Sequence, residues 1–252
     1  MKIKLSFFVL FLVNTLWATA QETEVIVRAR AKDAKYIGNS IGGAYVIIKD
    51  KLTGRVLGEG KTDGNTGNTQ QLLQTPLNRN QATVDLQTSK FLAKIHLSEP
   101  VFVEVEVIAP FQYKNAQIKA STELWLIPGK HILGEGIILE IPGFMVDILK
   151  PTTHQYLKPS NAPLLIQTNV VMMCGCPITK GGVWNSDEME VKGILKKDGK
   201  LIKESVLSLV SENLFETSVE MKETGYYELT VYAYNPVTGN TGVDKVNYVI
   251  RD

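Results

Sequence analysis

Four sulfur-bearing side chains fall within five residues of the sequence: Met172, Met173, Cys174 and Cys176. The chain has two cysteines, and both are in this run. Thiolate and thioether sulfurs are ligands for soft ions such as Cu(I). A C-x-C pair can place two thiolates on one ion, with Gly175 relieving the crowding of the backbone between them. A complete site needs one or two more donors, and the candidates are Met189 nearby and His131 or His154 from elsewhere. Met172, Met173, Cys174 and Cys176 are thus a candidate copper site whose chemistry would be capture or delivery to a protein partner. A homodimer would complete an otherwise half-finished set of ligands.

The same residues support two other readings. Cysteines of exported proteins tend to be oxidised, and a Cys174–Cys176 disulfide would close a tight ring. Such a ring is open to thiol–disulfide exchange, while a loop this short constrains little of the unfolded chain. Alternatively the run is a packed hairpin. Met172 and Met173 then fill gaps in a core, the thiols are inert or bonded to another molecule, and Trp184 caps the end of the fold.

Other chemistry is sparse. The three histidines, His96, His131 and His154, are scattered. His96 alternates with apolar neighbours and reads as a solvent-facing strand residue. There is no H-E-x-x-H, G-x-S-x-G, phosphate-binding or dinucleotide fingerprint, and Asp50, Asp63 and Asp187 lack the spacing of a calcium loop. Glu104 and Glu106 share one side of a strand and read as a wet face. Tyr226, Tyr232 and Tyr234 would suit a carbohydrate platform, but their strand position favours packing. No enzymatic activity is expected.

The elements that must position the sulfurs are strands. Val101, Val103, Val105 and Val107 alternate with Phe102, Glu104, Glu106 and Ile108. Ala93, Ile95 and Leu97 alternate with Leu92, Lys94 and His96, and Val25, Val27 and Ala29 with Ile26 and Arg28. Period two with one wet face marks antiparallel strands. Turn clusters separate them at 61–68 (KTDGNTGN), Pro128-Gly129, 197–200 (KDGK) and 236–242 (PVTGNTG). The predicted class is all-β, with two consecutive antiparallel β-sandwich domains at residues 21–142 and 143–252, meeting near Pro142-Gly143. The sulfur run follows a buried-looking strand at 164–171 and precedes another at 189–195. That makes it a loop at one end of the second sandwich, where a rigid frame can display binding residues.

Two stretches carry resemblances. Glu223-Thr224-Gly225-Tyr226-Tyr227-Glu228-Leu229 through Ala233 resembles the run into strand F of immunoglobulin-like domains. The resemblance implies that Tyr227 is the corner tyrosine whose hydroxyl caps the backbone. Leu229 stands where the family's disulfide cysteine would be, so the inter-sheet bridge is missing. Gly43–Asp50, Thr53-Gly54 and Thr62-Asp63-Gly64 resemble the strand–turn–strand of transthyretin-like modules from carboxypeptidase regulatory regions. That likeness implies a binding or spacing unit.

Residues 1–20 open with Lys2 and Lys4, continue as an apolar run from Leu5 to Trp17, and close on Ala18-Thr19-Ala20. This is the pattern of an export signal peptide, and its apolar run is shorter than a membrane span requires. Without it the formal charge of +1 becomes −1, which gives no electrostatic reason to bind nucleic acid or an anionic membrane. The expectation is a periplasmic or extracellular, non-catalytic binding or accessory protein, not inserted in a membrane. The alternatives are a structural or adhesion module with a local disulfide and, below it, a thiol–disulfide exchange protein.

Overall fold

The computed structural model describes residues 19–160 and 162–252. The expected export signal at residues 1–20 falls almost wholly outside them. Sixteen strands follow one another: β1 (Gln21–Ala31), β2 (Tyr45–Asp50), β3 (Val56–Lys61), β4 (Phe91–Leu97), β5 (Val101–Ala109), β6 (Ile118–Leu126), β7 (Ile132–Ile141), β8 (Phe144–Lys150), β9 (Tyr156–Leu157), β10 (Leu164–Met172), β11 (Glu190–Lys197), β12 (Lys200–Val206), β13 (Ser208–Ser211), β14 (Leu214–Val219), β15 (Gly225–Tyr234) and β16 (Thr241–Ile250). Among the described residues, helical structure amounts to single turns, one of them at Gln70–Gln74. Among the described residues no helix is long and apolar enough to cross a membrane.

The strands sort into two pairs of sheets. In the N-terminal sandwich, β4-β1-β7 faces β3-β2-β5-β6; in the C-terminal one, β13-β14-β10-β8 faces β12-β11-β15-β16-β9. The change from one set to the other falls between Ile141 and Phe144. The chain is therefore all-β and builds β-sandwiches. Alternation explains the strands directly. Val103, Val105 and Val107 of β5 are fully buried, as are Leu229, Val231 and Ala233 of β15, so each strand packs one face inward. Turn chemistry joins neighbours: Asp198 and Gly199 both take positive φ between β11 and β12, the conformation a two-residue hairpin demands.

Two departures from simple alternation have local causes. First, β1 pairs parallel with β7, and β16 parallel with β9, so two of the four sheets are mixed while the other two are purely antiparallel. In the first case β6 and β7 belong to opposite sheets, and the chain crosses over before it returns beside β1. Second, β1 buries both faces. Ile26 and Arg28 are sealed although they point away from Val25 and Val27. The Arg28 guanidinium donates to the carbonyls of Thr88, Ser89, Gly134 and Glu135, stapling two loops over the sheet. Burial lowers its pKa.

The expected wet face at Glu104 and Glu106 is only half right. Glu106 is buried between two lysines, with Lys49 Nζ at 2.8 Å and Lys119 Nζ at 2.7 Å. Hydrogen bonds from the two ammonium groups hold its carboxyl below the usual range. It is a structural anion rather than a member of a catalytic pair.

Candidate functional site

The sulfur run leaves β10 at Met172 and turns at once. The Gly175 amide donates to the Met172 carbonyl at 2.7 Å, and the Met172 amide to the Cys176 carbonyl at 3.2 Å. Gly175 sits at φ +74°, a conformation that costs a residue with a Cβ. Cys174 and Cys176 are joined in a disulfide. Beyond the bridge, Asn213 in the β13–β14 turn holds the chain down. Its side-chain oxygen accepts the Ile178 amide at 2.7 Å, and its own amide donates to the Ile178 carbonyl at 3.0 Å. The chain then loops through Thr179–Asn185, with the Thr179 amide donating to the Trp184 carbonyl, before entering β11.

The expectation of sulfurs displayed at an exposed loop tip is corrected by their burial. Met172 and Met173 are each 1% exposed, Cys174 1% and Cys176 4%. The reason is the other sandwich. Gly175 lies so close to Ile41 that a Cβ on it would stand 2.5 Å from Ile41 Cγ2. The Trp184 indole N–H donates to the Asp33 carbonyl at 2.9 Å. Trp184 does cap its sandwich, and it does so against the neighbouring one. The buried apolar residues on both sides, including Ala34 and Ile41 with Cys174 and Trp184, form one continuous cluster.

A second clasp lies beside the first. Asn240 is fully buried. Its side chain accepts the Gly143 amide at 2.8 Å and donates to the Lys32 carbonyl at 3.1 Å, while the Lys32 amide reaches the Ile141 carbonyl. Gly143 and Gly242 let the backbones close up: a Cβ on Gly143 would meet the Thr241 carbonyl, and one on Gly242 the Phe144 carbonyl. Sequence reasoning missed Asn240, Ile41 and Asp33. The recurrence of G-N-T-G at Gly64 and Gly239 was visible, but the two copies act differently. Asn65 caps its own turn by accepting the Gly67 amide, whereas Asn240 joins two sandwiches. Asp33 takes a positive φ, and partial burial, with Glu188 and Glu140 nearby, raises its pKa.

Chemically, this joint presents no free thiolate, because both cysteines are in the bridge. The two suggested histidines sit elsewhere. His131 is engaged at β1, where its Nδ1 accepts the Glu24 amide at 3.0 Å, and the His154 amide donates to the Asn247 carbonyl of β16; Met189 packs against the same buried cluster that holds the sulfurs. Among the described residues no group of three or more His, Cys, Asp or Glu side chains gathers as metal ligands. The geometry therefore lends no support to copper binding.

The tyrosines divide. Tyr227 is buried, stacks on Tyr248 with centroids 5.4 Å apart, and its hydroxyl donates to the Glu223 carbonyl at 2.8 Å. This is the backbone-capping corner that the immunoglobulin-like resemblance implies. Tyr232 donates to Glu190. Tyr226 and Tyr234 face solvent, with Tyr226 73% exposed, which corrects the expectation that these residues pack.

No family model matches the chain, and no curated protein matches it. Solved structures with partial likeness include an engineered protein, at 13% identity over 50% of this chain and 24% of that one, with a TM-score of 0.34. The fibronectin(III)-like modules of Clostridium thermocellum CbhA match at 12% identity over 92% of this chain and 94% of theirs, with a TM-score of 0.29. The N-terminal four Ig domains of Dscam1 isoform 7.44 match at 11% identity over 89% of this chain and 43% of theirs, with a TM-score of 0.25.

Proposed function

We propose that this chain is an exported, non-catalytic β-sandwich protein whose two sandwiches act as one stiff body that presents surfaces to a partner. One observation carries the reading. The disulfide-bonded Cys174–Cys176 turn is buried against the other sandwich, at Gly175 on Ile41 and Trp184 on Asp33. A module that needed its sulfurs for chemistry would have to expose them. Here they are consumed in fixing a joint. The transthyretin-like resemblance of the β2–β3 hairpin fits the same role of spacing or binding, and a disulfide fits the oxidising compartment that the leader implies.

Soft-metal capture by Met172, Met173, Cys174 and Cys176 is the competing reading. It requires reduction of the bridge and opening of the joint before any copper binds. Thiol exchange requires the same opening. A thiol count on the native protein, with and without mild reductant, separates the readings. The stiff-body reading expects no thiol in any state without reductant, none with mild reductant while the protein is folded, and two once it is unfolded in the presence of reductant, together with a copper titration that is unchanged in the double variant Cys174→Ser/Cys176→Ser. A thiol released under native conditions, or stoichiometric copper uptake lost in that variant, would overturn it. Small-angle scattering completes the test, with a single rigid shape expected for the wild-type chain.

A further inference from the structure

The outer face of the five-stranded sheet carries a second, open feature. Strand register places Tyr226 of β15 opposite Val249 of β16, and Val249 opposite Tyr156 of β9. Opposed residues share a face, so these three form a row across the sheet. The two tyrosines stand two strand spacings apart, about 10 Å. Tyr226 is 73% exposed and Tyr156 62% exposed. The next row on the same face, one residue pair along, holds Lys196 of β11, Glu228 of β15 and Asn247 of β16. His154 closes its far end, where its amide donates to the Asn247 carbonyl. Together with the β11–β12 turn, the two rows bound a cleft of about 540 Å³, within the roughly 300–1,000 Å³ of ordinary ligand sites.

The cleft is preorganised. The Asp198 amide donates to the Tyr226 carbonyl at 2.8 Å, and the Tyr226 amide donates to Asp198 Oδ1 at 3.1 Å. The Arg251 guanidinium sits 4.0 Å from the centre of the Tyr156 ring, which fixes that ring's plane. The charges are largely balanced within the face: Glu228 pairs with Lys196 at 3.6 Å and Lys245 at 3.4 Å.

We infer that the Tyr226–Val249–Tyr156 row beside Lys196, Glu228 and Asn247 forms a binding site for a neutral oligosaccharide, a deepening that rests on the non-catalytic binding role proposed above. A sugar ring has an apolar C–H face and a polar edge. Tyrosine supplies large apolar area at little entropic cost, and two rings about 10 Å apart can each hold a sugar of one chain, with a further sugar between them over Val249. Each sugar hydroxyl both donates and accepts, so it can satisfy the mixed set of amide, carboxylate, ammonium and imidazole groups in the second row. A proline-rich peptide would also stack on tyrosines. It offers that row mainly carbonyl acceptors, however, and few donors for the acceptor positions of Glu228 and Asp198 that their partners in the protein leave open, so covering them is costly. The internally balanced charge gives no reason to prefer an ionic ligand.

The test uses the full mature chain and a panel of cellohexaose, chitohexaose and maltohexaose, with a proline-rich decapeptide as the competing probe, read by calorimetry and by amide chemical shifts. At least one saccharide is expected to saturate at micromolar to millimolar concentration, with shifts confined to the cleft. Tyr226→Ala and Tyr156→Ala should each weaken binding about tenfold or more, roughly 1.4 kcal/mol. Tyr234→Ala, an exposed tyrosine further along β15, should leave it unchanged. No binding by any saccharide, equal affinity in the wild type and both cleft variants, or preferential binding of the peptide would each overturn the inference. The thiol count and scattering shape do not depend on the cleft, so a failed saccharide panel with an intact joint removes the sugar site alone.

Discussion

The sulfur-bearing turn and the tyrosine cleft both belong to the C-terminal sandwich, and both gather side chains that chemistry could use. One is sealed and the other open. Met172, Met173, Cys174 and Cys176 are almost wholly buried, whereas Tyr226 and Tyr156 are more than half exposed. The strands' own periodicity decides only Met172, which continues the buried alternation of Ile166, Thr168 and Val170 in β10. Met172 ends β10, and the loop after it leaves the end of the sandwich, where an isolated domain would be wet. It is dry because the N-terminal sandwich is docked there through Ile41 and Asp33. Among the described residues none covers the Tyr226–Tyr156 row on the outer face of β15 and β16. A cluster of reactive side chains is thus a candidate site only if nothing else in the molecule covers it.

The sharpest test of the contrast is to cut one large aromatic from each region. Trp184→Ala removes a buried indole and the N–H that reaches across to Asp33. Large aromatic truncations cost about 3–5 kcal/mol, so thermal or denaturant unfolding should shift strongly. It should also split into two transitions, since the joint would no longer couple the sandwiches. Tyr226→Ala, at the open cleft, should stay within about 0.5 kcal/mol of wild type. Comparable losses in the two variants would break the comparison.

Adding one methyl group probes the same closeness from the other side. Gly175→Ala places a Cβ where Ile41 Cγ2 already stands and does so at a positive φ. Overpacking and left-handed backbone each cost roughly 1–3 kcal/mol. The expected result is a destabilisation of that order, and a smaller one when Gly175→Ala is made in an Ile41→Ala background, which lacks the clashing Cγ2. Gly181 is the control: it also has positive φ, but its Cβ position is open. Gly181→Ala should therefore carry only the backbone part of the cost. Equal losses at Gly175 and Gly181 would show that Ile41 does not press on the turn.

How much of this was legible in the sequence follows from the range over which each feature is determined. Strands such as β4 and β5 were readable because alternation is local, and Tyr227 through the immunoglobulin-like resemblance of the short run around it, which also holds its acceptor, Glu223. A bridge between Cys174 and Cys176 was readable as one alternative, since two residues separate the partners. The joint was not. Trp184 and Asp33 are 151 residues apart, and neither has a residue type or spacing that announces the other. The same holds for Asn240 and Lys32. Parallel pairing of β1 with β7 was hidden for a related reason: alternation reports which face is wet and carries nothing about a partner's direction. The cleft was half legible. Exposed tyrosines on β15 were considered, but Tyr156 enters the face through a two-residue strand, too short to produce a pattern.

The smallest effect expected at the joint concerns charge and depends on pH. The Asp33 carboxyl has a raised pKa because partial burial and the nearby Glu188 and Glu140 disfavour its ionised form. The folded protein therefore holds that proton more tightly than the unfolded chain does. Stability from this group is present in acid and falls as pH rises from the ordinary carboxylate value, near 3.8, through the folded value, and the full penalty persists at neutral pH. Asp33→Asn removes the charge while keeping a residue that tolerates positive φ, and it leaves the backbone carbonyl that accepts the Trp184 N–H. Because the group is largely solvated, screening leaves an effect of only a few tenths of a kcal/mol. Chemical denaturation across pH should show Asp33→Asn slightly more stable than wild type at neutral pH, with the two curves merging below about pH 4. A variant less stable at every pH would mean that the aspartate side chain holds the joint by contacts of its own, and the raised pKa would not be the reason for the difference.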